Sequence, residues 1–225
     1  ELHQFVGYGG GAKSVLPGIC DAEGVKITHA KMESPGAGPG RIDDNPIRLD
    51  IEESADLLGV DFLVNVVLNS RHEIVQAVAG DIHAAFRAAV GLVDRMFKVT
   101  VPEPVDLVIC SPGGYPKDIN VYQAQKGLDN AQRAVTPGGT IVLIADCTEG
   151  FGEPTFERWM VESSSLDDIF ARFAERFELG GHKAYSLARV LREKEVILVS
   201  GLPDSTVRQL FMTPAHSTDE ALRLV

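Results

Sequence analysis

The chain has 225 residues, of which 44% are hydrophobic and 24% charged, values typical of a globular protein with one large or two small domains. Its formal net charge of −11 argues against a nucleic-acid partner, because phosphate binding needs a basic face. Three cysteines are too few for a disulfide framework or a zinc cluster. No apolar run approaches the ~20 residues of a membrane span, so we expect a cytoplasmic protein without a membrane partner.

The first part of the chain is a glycine-rich segment flanked by two histidines. His3 precedes the glycines, Lys13 follows them, and His29 comes later; the glycines that we single out are Gly9, Gly10 and Gly11. Glycines let backbone amides approach an anion closely, and a neighbouring lysine supplies a charge or a nucleophilic amine. Two imidazoles and an amine around such a loop indicate a cofactor site.

Gly7 and Lys13-Ser14 have the spacing of a P-loop, but Ala12 replaces its second glycine. Pro17 follows within a turn of the lysine, where a P-loop would continue its helix. No strand that ends in a magnesium-binding aspartate accompanies the motif. A phosphate- or nucleotide-binding module and a tight turn without a ligand both stay open as alternatives.

The residues up to 100 predict a first α/β domain. Residues 13–32 read as short helical pieces broken by Pro17-Gly18 and Gly24. Asn45-Pro46 is typical of a helix start, and Asp81 of a second one. Strands are predicted over 61–68 and 73–78. Position 1 reads as the end of a strand, so we expect an upstream part of this domain in the natural protein.

Val101-Pro102-Glu103-Pro104 is a stiff break and our candidate boundary between domains 1–100 and 101–225. The second domain alternates strands and helices, which predicts a doubly wound parallel sheet. The predicted strands cover 105–110, 140–145 and 195–200, with a turn at 137–139 between the first two. The predicted helices lie over 121–135 and near 154–161, 166–177 and 183–192, with a last helical stretch at the end.

The strand 105–110 is continuously apolar and is expected to be buried on both faces. Ligands of such sheets bind beyond the carboxyl ends of the strands, which places the loop 111–120 on the ligand side. Gln123 and Lys126 follow it at helical spacing. An amide beside an ammonium suits a carboxylate ligand; the alternative is a solvated helix face. His182-Lys183 is a candidate pocket wall.

Taken together, these motifs resemble the nickel-dependent lactate racemase family. The resemblance rests on His3, the glycine loop with Lys13, His29, the segment from Asn45 to Arg48, the strand VDFLVNVVLN, YQAQK with Gln123 and Lys126, and Gly180 to Ala184. It runs over nearly the whole chain in order and spacing. It implies a two-domain α/β racemase or epimerase of 2-hydroxy acids.

The resemblance implies a nickel pincer nucleotide, a pyridinium-3-thioamide-5-thiocarboxylic acid mononucleotide that separate cofactor-synthesis proteins build. By position His29 is the expected nickel ligand, and imidazole suits square-planar nickel. Lys13 is expected to hold the pincer covalently, and the glycine loop to hold its phosphate. Tyr185 occupies the position of a tryptophan in the lactate enzymes and is expected to line the cofactor site.

The implied reaction moves a hydride from the substrate carbon to the pincer and returns it to the other face. His3 is the expected base for the hydroxyl proton, since histidine titrates near neutral pH. Gln123 and Lys126 are expected to orient the substrate in a cleft that the second domain closes. A second histidine and an arginine are expected upstream, so we expect this chain alone to be inactive. The altered residue at Tyr185 leaves lactate or a related acid open as the substrate.

Overall fold

The structure, a computed structural model, describes all residues from Glu1 to Val225. The chain forms two compact units, Glu1–Thr100 and Val101–Val225. No helix in either unit combines the length and the apolar character that crossing a bilayer requires.

The first unit combines two small antiparallel sheets with three helices and two 3₁₀ turns. The strands β1 and β2 pair with each other, as do β3 and β4. In chain order the elements are β1 (Leu2–His3), β2 (Gly7–Tyr8), a 3₁₀ turn (Gly11–Ser14), α1 (Ala22–Ala30), a second 3₁₀ turn (Lys31–Glu33), α2 (Pro46–Leu58), β3 (Leu63–Leu68), β4 (Ile74–Gly80) and α3 (Ile82–Phe97).

Helix α2 begins as the sequence predicts. The Asn45 side chain accepts hydrogen bonds from the amides of Ile47 and Arg48, and Pro46 occupies the first turn, where its missing N–H costs nothing. Asp81 caps α3 in the same way. The predicted break at Gly24 is wrong: this residue lies inside α1, where its amide donates to the capping carboxylate of Asp21.

The hairpin of β3 and β4 packs one face on α3. Alternate strand residues, such as Val67, join Tyr8 and Phe86 in the core of this unit. The opposite face is also apolar but is largely exposed, with Val64 at 69% and Ile74 at 66%. Both faces of the hairpin are therefore rich in apolar residues, yet only one of them is covered.

The second unit is built on a parallel sheet whose strands lie in chain order, β5-β6-β7-β8. Its elements are β5 (Val105–Cys110), α4 (Val121–Ala124), α5 (Lys126–Ala131), β6 (Val135–Ile144), α6 (Pro154–Glu162), α7 (Leu166–Glu175), α8 (Gly181–Glu193), β7 (Glu195–Val199), α9 (Asp204–Gln209), β8 (Thr213–Ala215) and α10 (Thr218–Leu224).

Both faces of this sheet carry helices. Ile141 and Leu143 of β6 point into the main core with α5, α6 and α8. Val142, between them, packs on the other face with Ala221 of α10. The α/β architecture with a parallel sheet that the sequence predicts is therefore confirmed.

Three local predictions for this unit are wrong. The helix expected over 121–135 is two short helices, and β6 already begins at Val135. The expected turn at 137–139 is an irregularity inside β6, where the pairing of this strand with β5 shifts register. Strand β5 is not buried on both faces, because it is the edge of the sheet and leaves Ile109 about half exposed. Strand β8 was not predicted at all.

Candidate functional site

Two of the candidate histidines of the first unit meet at one aromatic ring. The ring centroid of Phe5 lies 4.7 Å from that of His3 and 5.1 Å from that of His29, both in edge-to-face arrangements. The Asn45 side chain, which caps α2, also donates a 2.8 Å hydrogen bond to the Phe5 carbonyl. The start of α2 thus fixes the backbone between β1 and β2, and with it the ring on which both imidazoles pack.

The imidazole of His29 is oriented by its own helix. Its Nδ1 lies 2.9 Å from the Val25 carbonyl oxygen, one turn earlier in α1. A carbonyl can only accept, so Nδ1 carries the proton and the neutral ring has its lone pair on Nε2. A backbone carbonyl on the other ring nitrogen is the usual support of a metal-binding histidine. The side chain therefore fits the role of a single imidazole ligand.

The imidazole of His3 contacts the backbone of the segment that follows it. Its Nδ1 accepts from the Val6 amide at 3.4 Å, beyond the usual range for a hydrogen bond to a backbone N–H. An accepting Nδ1 carries no proton, so in this contact the neutral ring has its proton on Nε2. A partly exposed imidazole of this kind suits proton exchange with a ligand.

Lys13 lies in the 3₁₀ turn Gly11–Ser14, which packs on α2 and α3. Helix α1, which carries His29, also packs on α2. The turn differs from a P-loop, in which the lysine opens an α-helix: here the next helix begins only at Ala22. The Ser14 hydroxyl donates to the Gly11 carbonyl at 3.0 Å instead of facing a metal ion. The local fold disfavours the NTPase alternative.

The glycines before Lys13 have internal packing reasons for their identity. A Cβ on Gly11 would lie 2.6 Å from the Phe86 ring, and one on Gly10 would lie 2.8 Å from the Asn65 amide nitrogen. Both residues also have positive φ, 61° and 80°. Gly9 has only the flexible Glu1 side chain nearby, at 3.1 Å. The loop is therefore closely packed on β3 and α3, and its expected contact with a phosphate stays a prediction.

Behind this turn lies a charged residue that the sequence did not single out as functional. Arg48 is 1% exposed, and its guanidinium carbon lies 3.7 Å from the centroid of the Phe86 ring. Its Nε donates to Glu52 at 3.1 Å, and a Cβ on Gly11 would approach its Nη2 to 3.2 Å. The ion pair balances the buried charge directly beneath the glycine turn. Only the segment from Asn45 to Arg48 in the family resemblance pointed to it.

In the second unit, Gln123 and Lys126 contact each other. The Lys126 ammonium donates to the Gln123 carbonyl oxygen Oε1 at 2.6 Å. The Gln123 NH₂ group and the other ammonium hydrogens are therefore the donors that this pair offers to a ligand. The Asn120 side chain caps α4 by accepting from the Gln123 amide at 3.0 Å, so the pair begins where the loop after β5 ends.

Two glycines, Gly180 and Gly181, allow the first turn of α8 to pack closely against the core. A Cβ on Gly181 would lie 2.5 Å from the buried Trp159 ring, and one on Gly180 would overlap the Glu153 carboxylate. The close approach buries the residues that follow: His182 is 5% exposed and stacks on Phe177, and Lys183 is 6% exposed. These two side chains belong to the packed interior, not to an open wall.

Lys183 is coupled to a carboxylate on another helix. Burial lowers the pKa of the Lys183 ammonium to about 8, with Asp129 acting to raise it and Lys126 to lower it further. Burial raises the pKa of the Asp129 carboxyl, opposed by Lys183, Arg133 and Arg189. Asp129 lies on α5, three residues after Lys126. No local sequence pattern indicates this pair, because its members are 54 positions apart and on different helices.

Tyr185 lies between α7 and α8. Its ring stacks on Phe173 at 4.0 Å between centroids and meets Phe170 edge-on at 5.3 Å. It is 6% exposed, so most of its surface is used in packing. A role in cofactor binding stays a prediction.

No group of three or more His, Cys, Asp or Glu side chains in the structure is arranged to hold a metal ion. The first unit thus offers imidazoles and one lysine around a glycine turn, and the second offers an amide–ammonium pair on a parallel α/β sheet. These features define a two-unit α/β protein with a histidine- and lysine-bearing candidate site.

Comparison with known proteins gives the family. The model of the lactate racemase C-terminal domain matches residues 99–225, and that of the lactate racemase N-terminal domain matches residues 1–40. The first of these covers more than half of the chain. The chain belongs to the lactate racemase family.

Individual relatives of the chain support this family assignment. The chain is 36% identical to a lactate racemase of Thermoanaerobacterium thermosaccharolyticum and 32% identical to one of Lactiplantibacillus plantarum, with 100% and 99% of the chain aligned. In both cases it spans about half, 54%, of the length of the relative.

Solved structures that resemble the chain also bear on its fold and family. The lactate racemase apoprotein from Thermoanaerobacterium thermosaccharolyticum matches with a TM-score of 0.95 and 35% identity, over 100% of this chain and 55% of that one. A Thermotoga maritima protein matches with a TM-score of 0.75 at 21% identity, over 96% of this chain and 58% of that one, and this second match bears on the fold alone.

Proposed function

We propose that this protein takes part in the racemisation or epimerisation of a 2-hydroxy acid, lactate or a close relative, with a nickel pincer nucleotide as cofactor. The observation that carries the proposal is the pair of imidazoles on Phe5, of which His29 is oriented through Nδ1 for metal binding at Nε2. Family membership supports the reaction class.

The residues of the first unit fit the cofactor. A pincer ligand supplies most of the donors to its metal, so a single protein imidazole completes a square-planar site. His29 is that ligand, with its lone pair on Nε2. Lys13 is the point of covalent attachment, on a turn that the packed glycines hold against α2 and α3. When bound, the cofactor supplies the acceptor and donor of the substrate hydride.

His3 is the general base in this proposal. It takes the proton of the substrate hydroxyl and returns it when the reaction runs backwards. An imidazole suits both steps because its pKa lies near the operating pH, so that neither protonation state is scarce. Its partly exposed position is compatible with exchange of a proton with a ligand.

Gln123 and Lys126 are proposed to orient the substrate. Their mutual hydrogen bond holds an amide NH₂ and an ammonium side by side, a donor set that matches a carboxylate. Substitution of either residue is expected to weaken substrate binding more than it slows the chemical step, because neither accepts the hydroxyl proton or the hydride of the substrate.

The proposal is tested most directly by asking whether Lys13 carries the cofactor. We predict that Lys13→Ala, co-expressed with the cofactor-synthesis proteins, loses the mass adduct and the visible absorbance that the unsubstituted protein carries. The matched control is Lys26→Ala on α1, which removes another lysine of the first unit. Intact-mass measurement of both variants decides the assignment, and an adduct that persists on Lys13→Ala contradicts it.

His29→Ala separates metal binding from attachment. We expect this variant to keep the mass adduct but to lose nickel, as measured by elemental analysis after desalting. A nickel-free, unsubstituted protein that hydrolyses nucleoside triphosphates would instead support the alternative of a P-loop-like module. The 3₁₀ turn at Lys13 and the Ser14–Gly11 hydrogen bond disfavour that alternative.

A further inference from the structure

The helix that carries Gln123 is too short to hold its own position. Helix α4 has four residues, Val121–Ala124, and Lys126 opens the separate helix α5. A single helical turn bears the cost of nucleation and gains few hydrogen bonds, so its order depends on contacts outside it. The alignment of Gln123 with Lys126, joined by the 2.6 Å hydrogen bond, therefore needs a support at the start of α4.

The segment that follows β6, which we call loop 147–152, supplies part of this support. The Gly150 carbonyl accepts from the Val121 amide at 2.9 Å. The Phe151 carbonyl accepts from the Tyr122 amide at 3.1 Å. These first amides of a helix have no partner within it, so the loop satisfies donors that would otherwise need water or a ligand.

Two further backbone hydrogen bonds join the same loops in the opposite direction. The Cys147 amide donates to the Asp118 carbonyl at 2.8 Å. The Glu149 amide donates to the Ile119 carbonyl, also at 2.8 Å. Because β5 and β6 are parallel neighbours in the sheet, the loops that follow them lie at the same edge. Loop 147–152 is therefore fastened along the chain that leads into α4.

Asn120 completes the start of this helix. Its side-chain Oδ1 accepts from the Gln123 amide at 3.0 Å, and its own carbonyl shares that amide at 3.2 Å. The residue is 7% exposed, and its Nδ2 lies 3.4 Å from the Glu149 carboxylate. A Cβ on Gly152 would lie 2.1 Å from the Asn120 Cγ. The absence of a side chain at position 152 therefore makes room for the cap of α4.

We propose that Asn120 is a positioning residue for Gln123 and that loop 147–152 holds it in place. Its cap keeps the single turn ordered that sets the Gln123 side chain beside the Lys126 ammonium. The first three amides of α4 are all occupied, so a substrate carboxylate would meet these side chains and not the helix terminus. This inference rests on the proposed function of Gln123 and Lys126, and it adds a buried residue and a loop to that site.

The first test compares Asn120→Ala with Asn120→Ser in the complete, cofactor-loaded enzyme. Alanine removes the acceptor for the Gln123 amide, whereas serine keeps one and removes only the donor to Glu149. In Asn120→Ala we expect KM for the 2-hydroxy acid to rise about fivefold with kcat little changed, because the ordered turn becomes less populated. In Asn120→Ser we expect KM within about twofold of the unsubstituted value.

The matched control removes a helix cap elsewhere in the same unit. Ser217 accepts from the Glu220 amide at 3.1 Å at the start of α10, which packs on the opposite face of the sheet. Ser217→Ala is expected to keep KM. An unchanged KM in Asn120→Ala would overturn the proposal. Equal rises in KM in Asn120→Ala and Ser217→Ala, or in Asn120→Ala and Asn120→Ser, would overturn it too.

A pair of glycine variants tests the role of the loop. Gly152 has a φ of 91°, and its substitution by alanine would overlap the Asn120 side chain. Gly150 has a φ of 66°, and no atom lies within 4 Å of its Cβ position. Both substitutions strain the backbone, but only Gly152→Ala displaces Asn120. We expect KM to rise about tenfold in Gly152→Ala and at most about twofold in Gly150→Ala, and equal values would contradict the role of the loop.

Another readout does not depend on activity. In ¹⁵N-labelled enzyme, the side-chain amide resonance of Gln123 reports its hydrogen bond to Lys126. We expect this resonance to move in Asn120→Ala and to stay in Ser217→Ala, and an unmoved resonance in Asn120→Ala would overturn the proposal. If the unsubstituted enzyme racemises no 2-hydroxy acid, the proposed function fails, while the resonance still decides whether Asn120 positions Gln123.

Discussion

The two units hold their candidate residues in opposite ways. In the first unit, His3, Lys13 and His29 lie close together in the chain, are partly exposed, and are oriented by short-range contacts such as the bond of His29 to the Val25 carbonyl. In the second unit, Lys126 and Lys183 come from helices far apart in sequence. There Lys183 is buried where α8 packs on α6, whereas Lys126 is exposed and bonded to Gln123.

The difference suggests how the chemistry is divided. Proton exchange and metal binding need lone pairs at accessible nitrogens, which local helix and turn contacts supply without burial. Orientation of a substrate carboxylate needs donors in a fixed arrangement, and the hydrogen bond between Lys126 and Gln123 provides one. We therefore expect substitutions in the first unit to change rate or cofactor content and those in the second to change KM or stability.

The largest effect is expected for His3→Ala. We predict a loss of about 10² to 10⁴ in kcat of the complete, cofactor-loaded enzyme, the usual contribution of a general base. Cofactor and nickel content should stay unchanged, because His29 and Lys13 are intact. Steady-state kinetics beside intact-mass and metal analysis test this. A decrease in kcat of less than tenfold would contradict the proposed role of His3 as general base.

The pH dependence of stability tests the second unit. Burial lowers the Lys183 pKa from 10.5 to about 8, so between these values the unfolded chain binds a proton that the folded one does not. The contribution of this group to the free energy of unfolding therefore rises with pH across that window, by on the order of 3 kcal/mol in all. Chemical denaturation of the unsubstituted chain and of Lys183→Met between pH 7 and 11 isolates it. A constant difference between the two would contradict the burial of a titrating ammonium.

The same contrast explains what could be predicted from the sequence. Helix α2 was predicted correctly because Asn45-Pro46 is a local signal, and the parallel sheet because strands and helices alternate. The candidate site of the first unit could be predicted because its residues, His3, Lys13 and His29, lie around one loop. The Asp129–Lys183 pair had no local signature, and neither did strand β8, three residues long, which only its pairing with β7 defines.

Irregular backbone was the other source of error. Pro137-Gly138-Gly139 is typical of a turn, yet the neighbouring strand β5 holds these residues inside β6 with a shifted register. The helix predicted over 121–135 ends early because β6 begins at Val135. In both places tertiary pairing overrides a local preference, which a single sequence does not display.

The smallest predicted effect concerns the packing that buries Lys183. Gly181→Ala would place a methyl group 2.5 Å from the Trp159 ring, which is fully buried. We expect a loss of about 1–3 kcal/mol in the free energy of unfolding. The matched control is Gly91→Ala in α3, where the nearest atom is Arg95 Nη1 at 3.8 Å. That substitution is expected to stabilise by about 0.5–1 kcal/mol, because alanine is the better helix former. Equal stability of the two variants would mean that the start of α8 is not packed against α6 as closely as described. The burial of Lys183 would then need another explanation.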